Sequence, residues 1–181
     1  MAMRLSFELT DRDLNYFRDA LQKSRHAVRD ADETDIIDAI RDVLDDIRSN
    51  EPLPDFVASR IPQIDQMIKM LLDEEWQLPN ADREQLLATF VYFGDPEDLL
   101  PDDIPVIGYL DDVIILELAT RDLVHVIEAY GDYCQYRDQF DAEHGKSLDA
   151  AIRRDRLDRR RQQLHQRMKS RAQKDRRRKL W

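Results

Sequence analysis

Apolar residues recur along this chain in steps of three and four, the spacing that places side chains on one face of a helix. Leu14, Phe17, Leu21 and Val28 make the first stripe, opened by Thr10 and the acidic turn Asp11-Arg12-Asp13, a helix-start signal. Ile36, Ile37, Ile40, Val43, Leu44 and Ile47 make a second, with Asp38, Arg41, Asp42, Asp45 and Asp46 elsewhere on the helix. "SNEPLPDF" at 49–56 then breaks the pattern with two prolines. A third helix is expected from near Ser59, with Pro62 in its first turn and Ile61, Ile64, Ile68, Leu71 and Leu72 as its apolar face. "LPNADREQ" interrupts and restarts the chain with Asn80 as N-cap, and Leu86, Leu87, Phe90 and Val91 follow. Val113, Leu116, Leu123, Ile127, Tyr130 and Cys134, with Thr120 filling a gap, predict one long helix from about 111 to 143. Gly145 ends it, and Ser147 is the predicted cap of a final helix. Only "RLSFEL" at 4–9 alternates, with Leu5, Phe7 and Leu9 on one side, as a short strand or extended segment does. The pattern predicts an all-α fold: a compact bundle of about five helices, a short N-terminal strand, and a C-terminal helical extension from about 148.

Between two of these helices lies "FGDPEDLLPDDIPVIGYLDD", residues 93–112, with six Asp, one Glu, three Pro and two Gly. As a helix–helix joint it explains itself residue by residue. Asp95-Pro96-Glu97-Asp98 offers a cap, a proline at the first helical position and acids facing a helix N-terminus. Pro101 and Pro105 forbid continued helix, Gly108 permits positive φ, and Asp111 or Asp112 caps the next helix. The alternative is a hard divalent cation, Mg²⁺ or Ca²⁺, held by Asp95, Asp98, Asp102, Asp103, Asp111 and Asp112, with a hydrolytic role open to it. The spacing is not that of an EF-hand, which needs acids at alternate positions, a central Gly and a terminal Glu.

The string from Tyr92 to Asp112 has an aromatic helix end, Asp-Pro, Asp-Leu-Leu-Pro-Asp, Ile-Pro, Gly and Leu-Asp-Asp. In this it resembles the YkvA-like family, a bacterial domain of unknown function, over roughly residues 86–125. The resemblance implies a small helical domain in which the proline-rich segment joins two packed helices, and it implies no activity. Members of that family often carry, after Leu-Asp-Asp, a helix apolar enough to be called transmembrane. This chain departs there, because Glu117, Arg121, His125, Glu128 and Asp132 share one helical face.

Charge divides the chain. The net charge is −10, yet residues 151–181 hold 14 of the 28 Lys and Arg and only 3 of the 38 acidic residues, a local charge of +11. The first 150 residues carry −21. The expected organisation is an acidic helical domain over 1–147 and a basic helix or tail over 148–181. Arg153, Arg154, Arg156, Arg159, Arg160, Arg161, Arg167, Lys169, Arg171, Lys174, Arg176, Arg177, Arg178 and Lys179 suit phosphate neutralisation, and Trp181 suits base stacking. Leu157, Leu164 and Met168 are too sparse for a membrane-lying face. RNA, DNA or a nucleoprotein particle is therefore the leading partner; the alternatives are an acidic protein surface, the chain's own acidic body in cis or in a second copy being the obvious candidate, and a solvated tail with no partner.

Other candidate chemistry is thin. His26, His125, His144 and His165 fall in no paired-ligand spacing, and "HGKS" at 144–147 lacks the upstream glycine of a phosphate loop. Cys134 sits on an apolar stripe and reads as a core thiol; as the single cysteine it forms no internal disulfide, which points to a reducing, cytoplasmic setting. No Ser/His/Asp or Cys/His arrangement emerges. The sequence thus reads as a non-enzymatic interaction protein without a cofactor, with the cation site and tail-on-body self-association as alternatives.

Overall fold

The structure, a computed structural model, describes residues 8–29, 31–49, 54–93, 109–145 and 149–178. Among these residues the secondary structure is all helix, with no strand. Eight helical segments run in order: α1 Asp11–Val28, α2 Glu33–Ser49, α3 Asp55–Ala58, α4 Ile61–Leu72, α5 Asn80–Phe93, α6 Leu110–Asp122, α7 Val124–His144 and α8 Ala150–Arg178.

Local chemistry sets several of the ends. Thr10 opens α1 with a capping box: its Oγ1 accepts from the Asp13 N–H at 3.4 Å, and the Asp13 carboxylate accepts from the Thr10 N–H at 2.9 Å. The Thr10 hydroxyl also donates to the Asp13 carboxylate at 2.7 Å, and this bond, then the one from the Thr10 N–H, holds that carboxyl below the usual range. At α2 the Asp32 carboxylate accepts from the Thr34 N–H at 2.8 Å. The start of α5 differs by one residue from expectation. Asn80 is already helical, and the Pro79 carbonyl accepts from Asp82 and Arg83 at 3.0 and 2.9 Å. Gly145, at φ 57°, ends α7, a backbone angle that costs a glycine little. Asp149 caps α8 by accepting from the Ala151 N–H at 2.7 Å; the expected cap, Ser147, lies outside the described residues.

Three expectations change. The bundle of about five helices becomes eight segments, one of them the single turn α3 inside the proline-rich breaker. The long helix expected over 111–143 is two helices, broken at Leu123 (φ −95°, ψ 7°). Apolar positions stay in phase through the break and no Gly or Pro marks it, so periodicity alone reads one helix. Leu72 also falls outside the α4 stripe assigned to it and is exposed, while Ile64, Ile68 and Leu71 are buried as expected. Residues 4–7 of the expected strand, and 94–108 of the joint, lie outside the described residues.

The chain forms two compact units. The first comprises residues 1–61 and 84–119. Its buried apolar residues are Ile36, Ile37, Ile40 and Leu44 of α2, Val57 of α3, Leu86, Leu87, Ala88, Phe90 and Tyr92 of α5, and Ile115, Leu116, Leu118 and Ala119 of α6. The apolar positions of α1 (Leu14, Phe17, Leu21 and Val28) are only half-buried. Arg60 and Glu117 pair at 3.3 Å within this unit.

The second comprises residues 62–83 and 120–181. Its core gathers Ile64, Met67, Ile68, Met70 and Leu71 of α4, then Trp76 and Leu78 of the α4–α5 loop. Leu123 and, from α7, Val126, Ala129, Tyr130 and Tyr133 add to it, and α8 contributes Leu157, Leu164 and Met168. These last three recur at steps of seven and four, so one narrow stripe of a 29-residue helix is buried. Burying each such side chain is worth about 1.5–3 kcal/mol. Leu164, 2 % exposed, is the middle contact. Leu164→Ala is expected to lower the unfolding free energy by about 2–5 kcal/mol, read as a shift of the urea midpoint.

Candidate functional site

The seven residues between α4 and α5 organise the second unit. Asp73 accepts from the N–H groups of Glu75 and Trp76, each at 3.0 Å, folding the chain back on itself, and Gln77 takes a positive φ of 51°. This turn drives Trp76 fully inside. Its ring meets Tyr130 and Tyr133 of α7 at 5.6 and 5.2 Å and, edge-on, His165 of α8 at 4.5 Å.

Around that ring the turn supplies acceptors, and α7 and α8 supply donors. The Asp73 carboxylate accepts from the Tyr130 hydroxyl at 3.2 Å and from the Arg137 guanidinium at 2.8 Å. The Glu75 carbonyl accepts from the Tyr133 hydroxyl at 3.2 Å and from Arg161 at 3.0 Å, while the Glu75 carboxylate receives Arg137 and Arg153. Burial, then the neighbouring Cys134 and Asp73, push the Tyr130 hydroxyl far up, and burial pushes Tyr133 up to about 12. Both stay neutral donors. Burial works against the Arg137 charge, but its bond to Asp73 and that carboxylate's charge outweigh it and hold the guanidinium charged.

From this hub α7 and α8 run antiparallel, tied by a ladder of opposite charges. Arg153 grips Asp141 with two bonds, 2.7 and 2.8 Å, and Glu75 at 2.5 Å. Arg160 lies over the Tyr136 ring at 5.4 Å, a cation–π contact. Further along, Arg167 bonds Asp132, Arg171 bonds Glu128 at 2.8 Å, and His125 bonds Asp175 at 2.7 Å. The Arg153 bonds to Asp141 and Glu75 raise its pKa, and Arg153 in turn holds the Asp141 carboxyl below its usual range. Exposed pairs of this kind contribute about 0–1 kcal/mol each, so the apolar stripe supplies most of the adhesion and the ladder fixes register.

The sequence-predicted tail residues therefore divide. Arg153, Arg160, Arg161, Arg167 and Arg171 face partners within the unit. Arg154, Arg156 and Lys174 are exposed and carry no ion pair among the described residues; Arg159 pairs with Asp155 on its own helix, and exposed Lys169 acts at a distance on half-buried Asp82. The side chains of Arg176, Arg177, Arg178, Lys179 and Trp181 lie outside the described residues. Positions 153, 156, 160, 167, 171 and 174 recur at helical spacing on one flank of α8, a basic stripe about 32 Å long.

Of the candidate cation ligands, Asp95, Asp98, Asp102 and Asp103 lie outside the described residues. Asp111 and Asp112 sit in the first turn of α6 rather than at its cap; Asp111 is buried and accepts from the Tyr92 hydroxyl at 3.3 Å. Among the described residues no group of three or more His, Cys, Asp or Glu is arranged to hold a metal ion, and no helix is long and apolar enough to cross a membrane.

Sequence reasoning missed the hub of Asp73, Glu75 and Trp76. Its visible signal was "DEEW", the chain's only tryptophan before the last residue, inside a run of acids. It also left Glu128 and Asp132 as evidence against a membrane helix, whereas they are the rail on which α8 docks.

His165 is held below its ordinary 6.5 by burial and by Arg161 and Lys169. Its contribution to stability is therefore complete above about pH 6.5 and is lost as pH falls through the lower folded value. The urea midpoint should drop on acidification in that window, and His165→Phe should remove that part of the drop. Cys134, beside Arg137 at 3.7 Å, is pushed up by burial. Less thiolate is present at neutral pH, so iodoacetamide should alkylate it more slowly in the native chain than in urea.

Among known families, one described as a protein of unknown function (DUF1232) matches residues 85–118, from within α5 to within α6. That stretch includes Asp111 and Asp112 and ends before α7 begins. No curated protein and no solved structure matches the chain.

Proposed function

We propose that this is a non-enzymatic helical interaction protein that binds single-stranded nucleic acid, alone or in a nucleoprotein particle, through the basic flank of α8. The supporting observation is the stripe Arg153, Arg156, Arg160, Arg167, Arg171 and Lys174. Acidic partners neutralise its inner edge, while Arg156 and Lys174 at its outer edge are exposed and have no ion pair among the described residues. A row of guanidinium and ammonium groups along a rigid helix matches a phosphodiester backbone, and binding releases that backbone's condensed counterions.

The acidic remainder of the chain repels phosphate elsewhere and directs it to this flank. Because Leu157, Leu164 and Met168 are buried, deleting α8 would unmask the core; charge substitution is the cleaner test. Kinship with YkvA-like helical proteins and action in a reducing, cytoplasmic compartment belong to the same proposal. The divalent-cation reading gains no support from Asp111, which accepts from Tyr92 in the interior.

The test is a salt titration of binding to a fluorescent oligouridylate and to its deoxy counterpart. Wild type should lose affinity steeply with salt. Arg156→Gln with Lys174→Gln should weaken binding and flatten the log–log salt slope by about 1.4, the value for two phosphate contacts on a single strand. Binding indifferent to salt, or unchanged in the double variant, would sink the proposal.

A further inference from the structure

The cations of α8 are held by their partners in two different ways. Arg153 is gripped by two carboxylates at once, Asp141 and Glu75, next to the Trp76 hub. Arg167 and Arg171 each meet a single carboxylate, Asp132 and Glu128, and all four side chains are more than a third exposed. Anchoring falls off in the same direction. Beyond Met168 no described side chain of α8 is fully buried, and Arg171–Glu128 and His125–Asp175 tie that end to α7.

Arg167 and Arg171 lie on the same flank as the exposed Arg156 and Lys174. A strand of phosphates caught by the outer pair passes beside two guanidinium groups already bonded to oxyanions. Phosphate and carboxylate are interchangeable acceptors for a guanidinium, and a polyanion brings several at once.

We infer that Glu128 and Asp132 act as a built-in competitor for phosphate, occupying Arg171 and Arg167 until a nucleic-acid strand displaces them. Arg153 stays clamped and keeps α8 seated during the exchange. The two carboxylates thereby set a threshold: an isolated phosphate does not displace them, whereas a strand anchored at Arg156 and Lys174 does. This rests on the nucleic-acid reading above and adds to it the mechanism that sets its affinity.

The experiment compares oligouridylate affinity of the full chain at fixed low salt for wild type, Glu128→Gln with Asp132→Asn, and Asp35→Asn with Asp42→Asn. The last pair removes the same net charge from exposed positions of α2. Circular dichroism verifies that each stays folded. Removing the competitor should tighten binding by roughly threefold or more beyond the charge-matched control. In wild type, the Arg167 and Arg171 side-chain Nε–H signals should shift on adding RNA while that of Arg153 does not.

Affinity equal to or weaker than the control's, or no shift at Arg167 and Arg171, overturns the competitor. Loss of binding in Arg156→Gln with Lys174→Gln alongside such a result removes the competitor alone and leaves the nucleic-acid reading standing. No binding by any variant removes both.

Discussion

Burial of Trp76 is the constraint on which the second unit depends. A large aromatic ring sits in a short loop, where a chain normally runs over the surface, and Asp73 holds it there by capping the backbone of the turn. Once inside, the ring gives Tyr130, Tyr133 and His165 a common surface, and so sets how α7 and α8 meet. The acceptors that fold the loop also receive the donors of those helices: Asp73 takes Tyr130 and Arg137, and Glu75 takes Tyr133, Arg153 and Arg161. One turn supplies both the apolar wedge and the acceptors for the Tyr and Arg donors packed around it.

The electrostatics follow from that placement. A segment of charge +11 invites the picture of a free arm seeking a polyanion, yet much of its inner face is satisfied within the chain. The pairing is ordered, with acids on α7 and arginines on α8, and with the sense reversed at the far end, where His125 of α7 meets Asp175 of α8. Exposed ion pairs add little adhesion individually, so Leu157, Leu164 and Met168 hold the helix down and the ladder selects which side of it faces out. What is left facing solvent is a defined row on one flank, where Arg156 and Lys174 have no ion pair among the described residues, rather than a diffuse cloud of charge.

That arrangement also bears on selectivity. An arm with every cation free binds any anion of sufficient charge. On the proposed reading, a docked helix whose arginines already hold carboxylates would respond to ligands that offer several phosphates at matching spacing. The acidic character of the rest of the chain acts in the same sense, by lowering the local concentration of anions away from the basic flank.

The sequence by itself determined the helical class, some helix ends and the split of charge, because these depend on neighbours a few residues apart. Thr10 and Asp13 form a capping box wherever that helix lies, Gly145 tolerates a positive φ, and apolar steps of three and four need no tertiary context. The break at Leu123 was not legible, since the stripe keeps its phase across it and no Gly or Pro marks it. Nor was the candidate site, since Glu75 and Arg153 are 78 positions apart and Asp132 and Arg167 35 apart. Composition showed that the last segment is basic; only packing decided which arginines are occupied and which face solvent. The physical reason is that local propensity acts within a turn or two of backbone, whereas pairing charges requires the wedge of Trp76 to bring distant helices to one register.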